Sequence, residues 1–160
     1  MILYHGSNMT VSRPRLIRQD RNLDFGSGFY TTTQREQAAA FAKKVAARRK
    51  EGIATLNVYS LNEEETFAAC RLLRFHGADE AWLDFVCANR NGSYRGPAYD
   101  LVYGAVANDD VYRSVTLYLT GVLTKEQTIA ALKIKKLFDQ LVFTSEKSLQ
   151  YLRFERSEIL

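Results

Sequence analysis

Two short stretches hold the residues best suited to chemistry: Tyr4-His5-Gly6-Ser7, and further on Phe25-Gly26-Ser27-Gly28-Phe29-Tyr30-Thr31-Thr32. Each sets one polar or aromatic side chain, His5 or Tyr30, in an apolar extended run beside glycines, whose missing Cβ lets a ligand approach the backbone. That is the composition of a small-molecule cleft, and it asks whether His5 and Tyr30 face each other across one pocket. Taken alone, a histidine near a chain start reads as structural and a strand tyrosine as core; the glycines and serines beside them shift the reading to ligand binding. His76, followed by Gly77, reads as a turn histidine. Cys70 and Cys87 have neither close spacing nor a zinc-pattern histidine, so they read as buried free thiols and no metal is expected.

The elements that must position these residues follow from hydrophobic period and punctuation. Residues 2–5 and 28–32 read as strands, the second rich in aromatic and β-branched residues. Between them, residues 8–24 form a polar loop holding Arg13, Arg15, Arg18 and Arg21, with a short strand at 15–17 as an option. Residues 33–50 turn helical, with Thr33 as cap, Glu36 three residues on, and Ala38, Phe41, Ala42 and Val45 on one face; Gly52 ends the helix. Strands are expected at 53–61, 66–75, 99–106, 141–144 and 151–156. Helices are expected at 79–88, 109–118 and 124–136, the last with a Thr124–Gln127 capping box, and a helical turn at 146–150. Asn-Gly-Ser and Gly-Pro mark 89–96 as a loop.

With 160 residues, 46% of them hydrophobic, and only two prolines, the chain has enough apolar surface for one core and is not a disordered or repetitive protein. No linker or internal repeat divides it, so residues 1–160 are read as one α+β domain; the strands lack a regular βαβ rhythm, which disfavours a Rossmann-like sheet. Twenty-two Lys and Arg against eighteen Asp and Glu leave +4, a balance that tolerates an anionic ligand or a nucleic acid without requiring either. The opening Met-Ile-Leu-Tyr-His lacks a basic, apolar leader, and no run approaches the roughly 18 apolar residues of a membrane span, so a cytoplasmic location and no membrane partner are expected.

With its motifs placed on strands, the chain resembles the NAD-binding core of diphtheria-toxin-like ADP-ribosyltransferases, a group that includes the poly(ADP-ribose) polymerases. In that group a His-Gly-Ser or His-Gly-Thr strand precedes Phe-Gly-x-Gly-x-Tyr, the order seen here at His5-Gly6-Ser7 and Phe25 to Tyr30, followed by an Ala- and aromatic-rich helix at 37–41. The later segments Asp100 to Asp109 and Phe138 to Phe143 further resemble a small bacterial family of uncharacterised proteins of the same type. The resemblance implies an ADP-ribosyltransferase-like fold, a mostly antiparallel split sheet flanked by helices. It implies a mono-ADP-ribosyltransferase, a toxin or defence effector that consumes NAD as substrate, releases nicotinamide, modifies a protein or nucleic acid, and is restrained by an antitoxin or inhibitor protein. A catalytically inactive NAD or ADP-ribose binder and an NAD glycohydrolase are the alternatives.

The resemblance also assigns roles. Breaking the nicotinamide–ribose bond builds oxocarbenium character at the anomeric carbon, so the base must be held, the ribose fixed and the opposite face opened to a nucleophile. His5 would then bond a ribose hydroxyl, Gly6 would offer its N–H and C=O to the carboxamide, Ser7 would add a hydroxyl, and Tyr30 would stack on the nicotinamide. Gly26 and Gly28 would bring the strand close beneath the ligand, Thr31 would complete the binding set, and loop arginines would meet the pyrophosphate. Phe29 points away into the core. The third position of the group, usually a glutamate at the start of a late strand, falls on Gln140, giving a His5, Tyr30, Gln140 set; an amide offers only a neutral acceptor there, which implies slower chemistry and single transfer. Asp139 points the opposite way, and Asn108-Asp109-Asp110 either caps the following helix or borders the pocket.

Overall fold

The computed structural model describes residues 1–17, 22–106, 109–135 and 137–160. Seven strands and six helices are assigned among them, in the order β1 (Ile2–Ser7), β2 (Phe29–Thr31), α1 (Arg35–Arg49), β3 (Thr55–Leu61), α2 (Glu63–Ala69), β4 (Leu72–Arg74), α3 (Glu80–Arg90), β5 (Leu101–Ala105), α4 (Asp109–Leu119), α5 (Lys125–Lys133), β6 (Asp139–Phe143), α6 (Glu146–Leu149) and β7 (Leu152–Ile159). The strands form a three-stranded sheet, β1-β3-β7, and a four-stranded sheet, β2-β6-β5-β4. All pairings are antiparallel except β4 with β5. The architecture is therefore mixed α+β, as the sequence suggests.

Strand alternation distributes the four-stranded sheet between two cores. Phe29, Leu101, Leu141 and Phe143 face the other sheet and pack with Leu3, Tyr59 and Leu61. Val102 and Val142 face the opposite way, under Trp82, Leu83, Phe85 and Val86 of α3, Val111 and Val115 of α4 and Leu132 of α5. On the far side of the three-stranded sheet, α1 lies against β1 so closely that a Cβ on Gly6 would stand 2.1 Å from Ala38 O and 2.7 Å from Ala42 N. That contact explains the alanines of α1: Ala38, Ala42 and Val45 are its buried stripe. Phe41, expected on the same face, is 50% exposed, because only small side chains fit between this helix and the strand.

Several local expectations are corrected. Residues 66–75 do not form a strand; Asn62 accepts from Glu65 N and caps α2, whose acidic first turn suits the positive end of the helix dipole, and only Leu72–Arg74 is extended. Thr33 does not cap α1: Gln34 holds the N-cap position without a side-chain bond, since the Thr33 hydroxyl donates to the Asp139 carboxylate. Residues 15–17 are not a strand. The Thr124–Gln127 capping box is present, and Asp79 caps α3 by accepting from Trp82 N.

Candidate functional site

The two sheets meet at one point. Tyr4 of β1 and Thr32, just past β2, form an isolated antiparallel bridge, with Tyr4 N donating to Thr32 O at 2.8 Å and Thr32 N to Tyr4 O at 2.9 Å. In an antiparallel strand alternate residues direct both polar groups to the same side, so Gly6 presents its N–H and C=O toward β2 as Tyr4 does, and Tyr30 presents its own toward β1 as Thr32 does. No bridge continues the pair to Gly6 and Tyr30 among the described residues. The seam opens there, and the His5 imidazole enters it: Nδ1 lies 2.8 Å from Tyr30 O.

That contact settles the tautomer. A carbonyl oxygen only accepts, so Nδ1 carries the proton and Nε2 of the neutral ring is left as an acceptor. Burial holds the His5 pKa below its ordinary value, with the bond to the Tyr30 carbonyl opposing. The ring packs on Phe29 at a centroid distance of 4.3 Å. Beside it, buried Asn57 reaches back to β1 and its following loop: its Nδ2 donates to Met9 O at 3.2 Å and His5 O at 3.4 Å, and its Oδ1 accepts from Val11 N at 2.8 Å.

The Tyr30 side chain takes the other face of its strand, the one with Val142, its β6 partner. Its hydroxyl donates to Gly26 O at 2.7 Å and accepts from Phe25 N at 3.1 Å, closing the turn in which Gly26 adopts a φ of 78°. Burial raises the phenol pKa well above its ordinary value. His5 and Tyr30 thus meet through the main chain, imidazole to carbonyl, with the phenol turned into the glycine loop. Gln140, two residues along β6 from Val142, shares the Tyr30 face and is 6% exposed. Its amide nitrogen lies 3.4 Å from Ala105 O, which also accepts from the indole of Trp82 at 3.0 Å.

The remaining candidates divide between frame and surface. Ser7 is buried on the His5 face of β1. Thr31 is buried, its hydroxyl donating to Leu141 O at 2.7 Å. A Cβ on Gly28 would meet Phe143 O at 2.7 Å, so this glycine is required by β6 itself. Arg13 and Arg15 are exposed; Arg18, Arg21 and Asn108 lie outside the described residues. Cys70 and Cys87 are buried free thiols, and burial raises the Cys87 pKa to about 11. No group of His, Cys, Asp or Glu among the described residues is arranged to hold a metal ion.

One residue that the sequence reading set aside is structurally central. The Asp139 carboxylate accepts from the hydroxyls of Thr32 and Thr33, from Thr33 N at 2.9 Å, and from the Tyr103 hydroxyl at 3.2 Å. It anchors the corner from β2 to α1, and with it the bridge that sets the seam. The run Thr31-Thr32-Thr33 was the available signal, since clustered donors in a buried corner need an acceptor.

No helix among the described residues is long and apolar enough to cross a membrane. No curated protein and no solved structure matches the chain. A family model does match, over residues 1–154, from β1 through the seam and into the start of β7; by that match the chain belongs to the family described as protein of unknown function (DUF3990).

Proposed function

We propose that this chain is an NAD-dependent mono-ADP-ribosyltransferase with a split-sheet fold of the ADP-ribosyltransferase type, acting in the cytoplasm as a toxin or defence effector on an intracellular macromolecule and restrained by a cognate inhibitor protein. The supporting observation is the seam: the strand pairing stops after Tyr4–Thr32, and His5 stands in the gap with Nδ1 on Tyr30 O. An opened strand edge offers main-chain donors and acceptors in the spacing that a planar carboxamide satisfies, and the neutral Nε2 of His5 offers an acceptor for a ribose hydroxyl. Gly6 binds the carboxamide through its backbone, His5 fixes the ribose, and Gln140 supplies a neutral acceptor from the β6 side. Seating nicotinamide against the Tyr30 ring requires the phenol to leave Gly26 O, so in this reading the glycine loop moves on binding.

The placement of Gln140 also favours a second reading, a silent NAD or ADP-ribose binding module, because its amide is buried and directed at Ala105 O. Labelled NAD separates the two. Release of nicotinamide with transfer of label to protein or nucleic acid supports the transferase, and release without transfer indicates an NAD glycohydrolase. Binding without release supports the module. Neither binding nor release, with wild-type protein folded, overturns every NAD reading. Gln140→Glu is expected to raise turnover; an unchanged rate in folded protein would remove Gln140 from the third position.

A further inference from the structure

A groove lies on the face of the four-stranded sheet opposite His5, between the Phe25–Gly28 turn, the C-terminal end of α3 and the 92–99 loop. It consists of two adjoining cavities of about 200 Å³ each, which share Ser27, Asn89 and Tyr94 as lining residues. Phe25, Phe85 and Tyr99 supply its aromatic walls. The turn is built to keep the groove open: Gly26 has a φ of 78°, and a Cβ there would stand 3.0 Å from Asn89 Oδ1. Tyr94 is braced edge-on against Phe85, ring centroids 5.0 Å apart, and its hydroxyl bonds Pro97 O at 2.9 Å.

Cations stand at the groove. The Arg71 guanidinium lies over the Tyr99 ring at 5.2 Å. Arg95, exposed beside Tyr94, is held by Gly92 O at 3.0 Å and Tyr94 O at 2.8 Å. Two acids border the groove and both are engaged: Asp24, in the turn, pairs with Arg90, and Asp100 is held by Arg71 N, the Ser145 hydroxyl and Lys147. Aromatic walls that accept a flat ring, an asparagine and a serine that can bond its edge, and arginines placed for a backbone anion are together the equipment for one base of a single strand.

We infer that this groove binds single-stranded nucleic acid, seating one base among Phe85, Tyr94 and Tyr99 with the adjacent phosphates on Arg71 and Arg95. The groove shares the Phe25–Gly28 turn with the NAD reading, since the Tyr30 hydroxyl bonds Gly26 O and Gly26 lines the groove; His5 and its bond to Tyr30 O lie on the other face of β2.

Fluorescence anisotropy with labelled single strands of about twelve nucleotides, DNA and RNA, tests it. Wild-type protein is expected to bind at least one of them, more weakly as salt rises. Arg95→Glu, an exposed position, and Tyr99→Leu, which keeps apolar volume but removes the stacking face, are each expected to weaken binding roughly tenfold, with far-UV circular dichroism unchanged. Duplex of the same length should bind less tightly, and His5→Ala should bind the strand as wild type does. Absence of binding by the wild-type protein overturns the inference. So does binding that both groove variants leave unchanged, a preference for duplex, or occupation by free mononucleotides alone. Nicotinamide release, measured in parallel, reports on the NAD reading independently.

Discussion

His5 works through two differently committed nitrogens: Nδ1 is bound to the Tyr30 carbonyl, and Nε2 is available as an acceptor only while the ring is neutral. Burial favours that neutral form, so the folded chain takes up the proton less readily than the unfolded chain, whose imidazole titrates near 6.5. The sign follows: this contribution to stability is complete above pH 6.5 and declines as pH falls from there toward the lower folded value. Asp100 and Glu158, held below their ordinary values by hydrogen bonds to Ser145 and Arg35, lose their contributions only in more acidic solution. Urea midpoints measured between about pH 5 and 7 should therefore fall on acidification in the wild type, and His5→Gln should flatten that segment. An unchanged slope in the variant would mean that the imidazole is not held neutral. Gly6 and Ser7 mark His5 as a candidate in the sequence; nothing there marks its partner, because Tyr30 offers a carbonyl and any residue type carries one.

At the scale of elements, small residues mark close approach. Gly6→Ala places a methyl carbon 2.1 Å from Ala38 O, so α1 must lift from β1; a loss of about 3 kcal/mol in urea unfolding is expected. A near-neutral result would show that the helix slides freely on the strand. The missing Cβ of Gly6, which in the sequence suggests room for a ligand, is accounted for by the packing of α1. Gly6 can still present its backbone to the seam, since the helix occupies the Cβ side and the polar groups run along the sheet. Asp139→Asn retains shape but replaces an oxygen with a donor facing hydroxyls and Thr33 N–H. It should cost about 2 kcal/mol and, on the proposed NAD function, should weaken NAD binding with it, by loosening the corner that holds Thr32 against Tyr4. Calorimetric titration of the folded variant checks the second effect. Helices α3 and α5 were readable because their caps Asp79 and Thr124 are local; α2 was misread because the segment after it is equally apolar in either conformation.

Across the whole molecule, the four-stranded sheet carries one core on each face. Phe143 faces Leu3 and Tyr59, while its neighbour Val142 faces the α3–α5 layer containing Trp82, so disturbance of one core passes through the strand backbone to the other. Leu3→Ala, in the inter-sheet core, should cost about 3 kcal/mol. It should shift the transition seen by Trp82 fluorescence by the same amount as that seen by far-UV circular dichroism. Separated transitions would show that the layers unfold independently.

What the sequence by itself determined was the set of local choices: the two glycine-bearing motifs, the caps, the mixed α+β character and the thiols without a metal pattern. Each depends on residue type and short spacing, and therefore survives without knowledge of the fold. The tertiary structure alone decided that β1 and β2 belong to different sheets joined by one bridge, that His5 meets the Tyr30 main chain, that Asp139 anchors the corner, and that Phe85, Tyr94 and Tyr99 gather into a groove. The first two juxtapositions are made by strand order and by main-chain atoms, which every residue shares; the Asp139 corner and the groove join side chains of separate elements that only the fold brings together, and the run Thr31-Thr32-Thr33 is the local trace of the former.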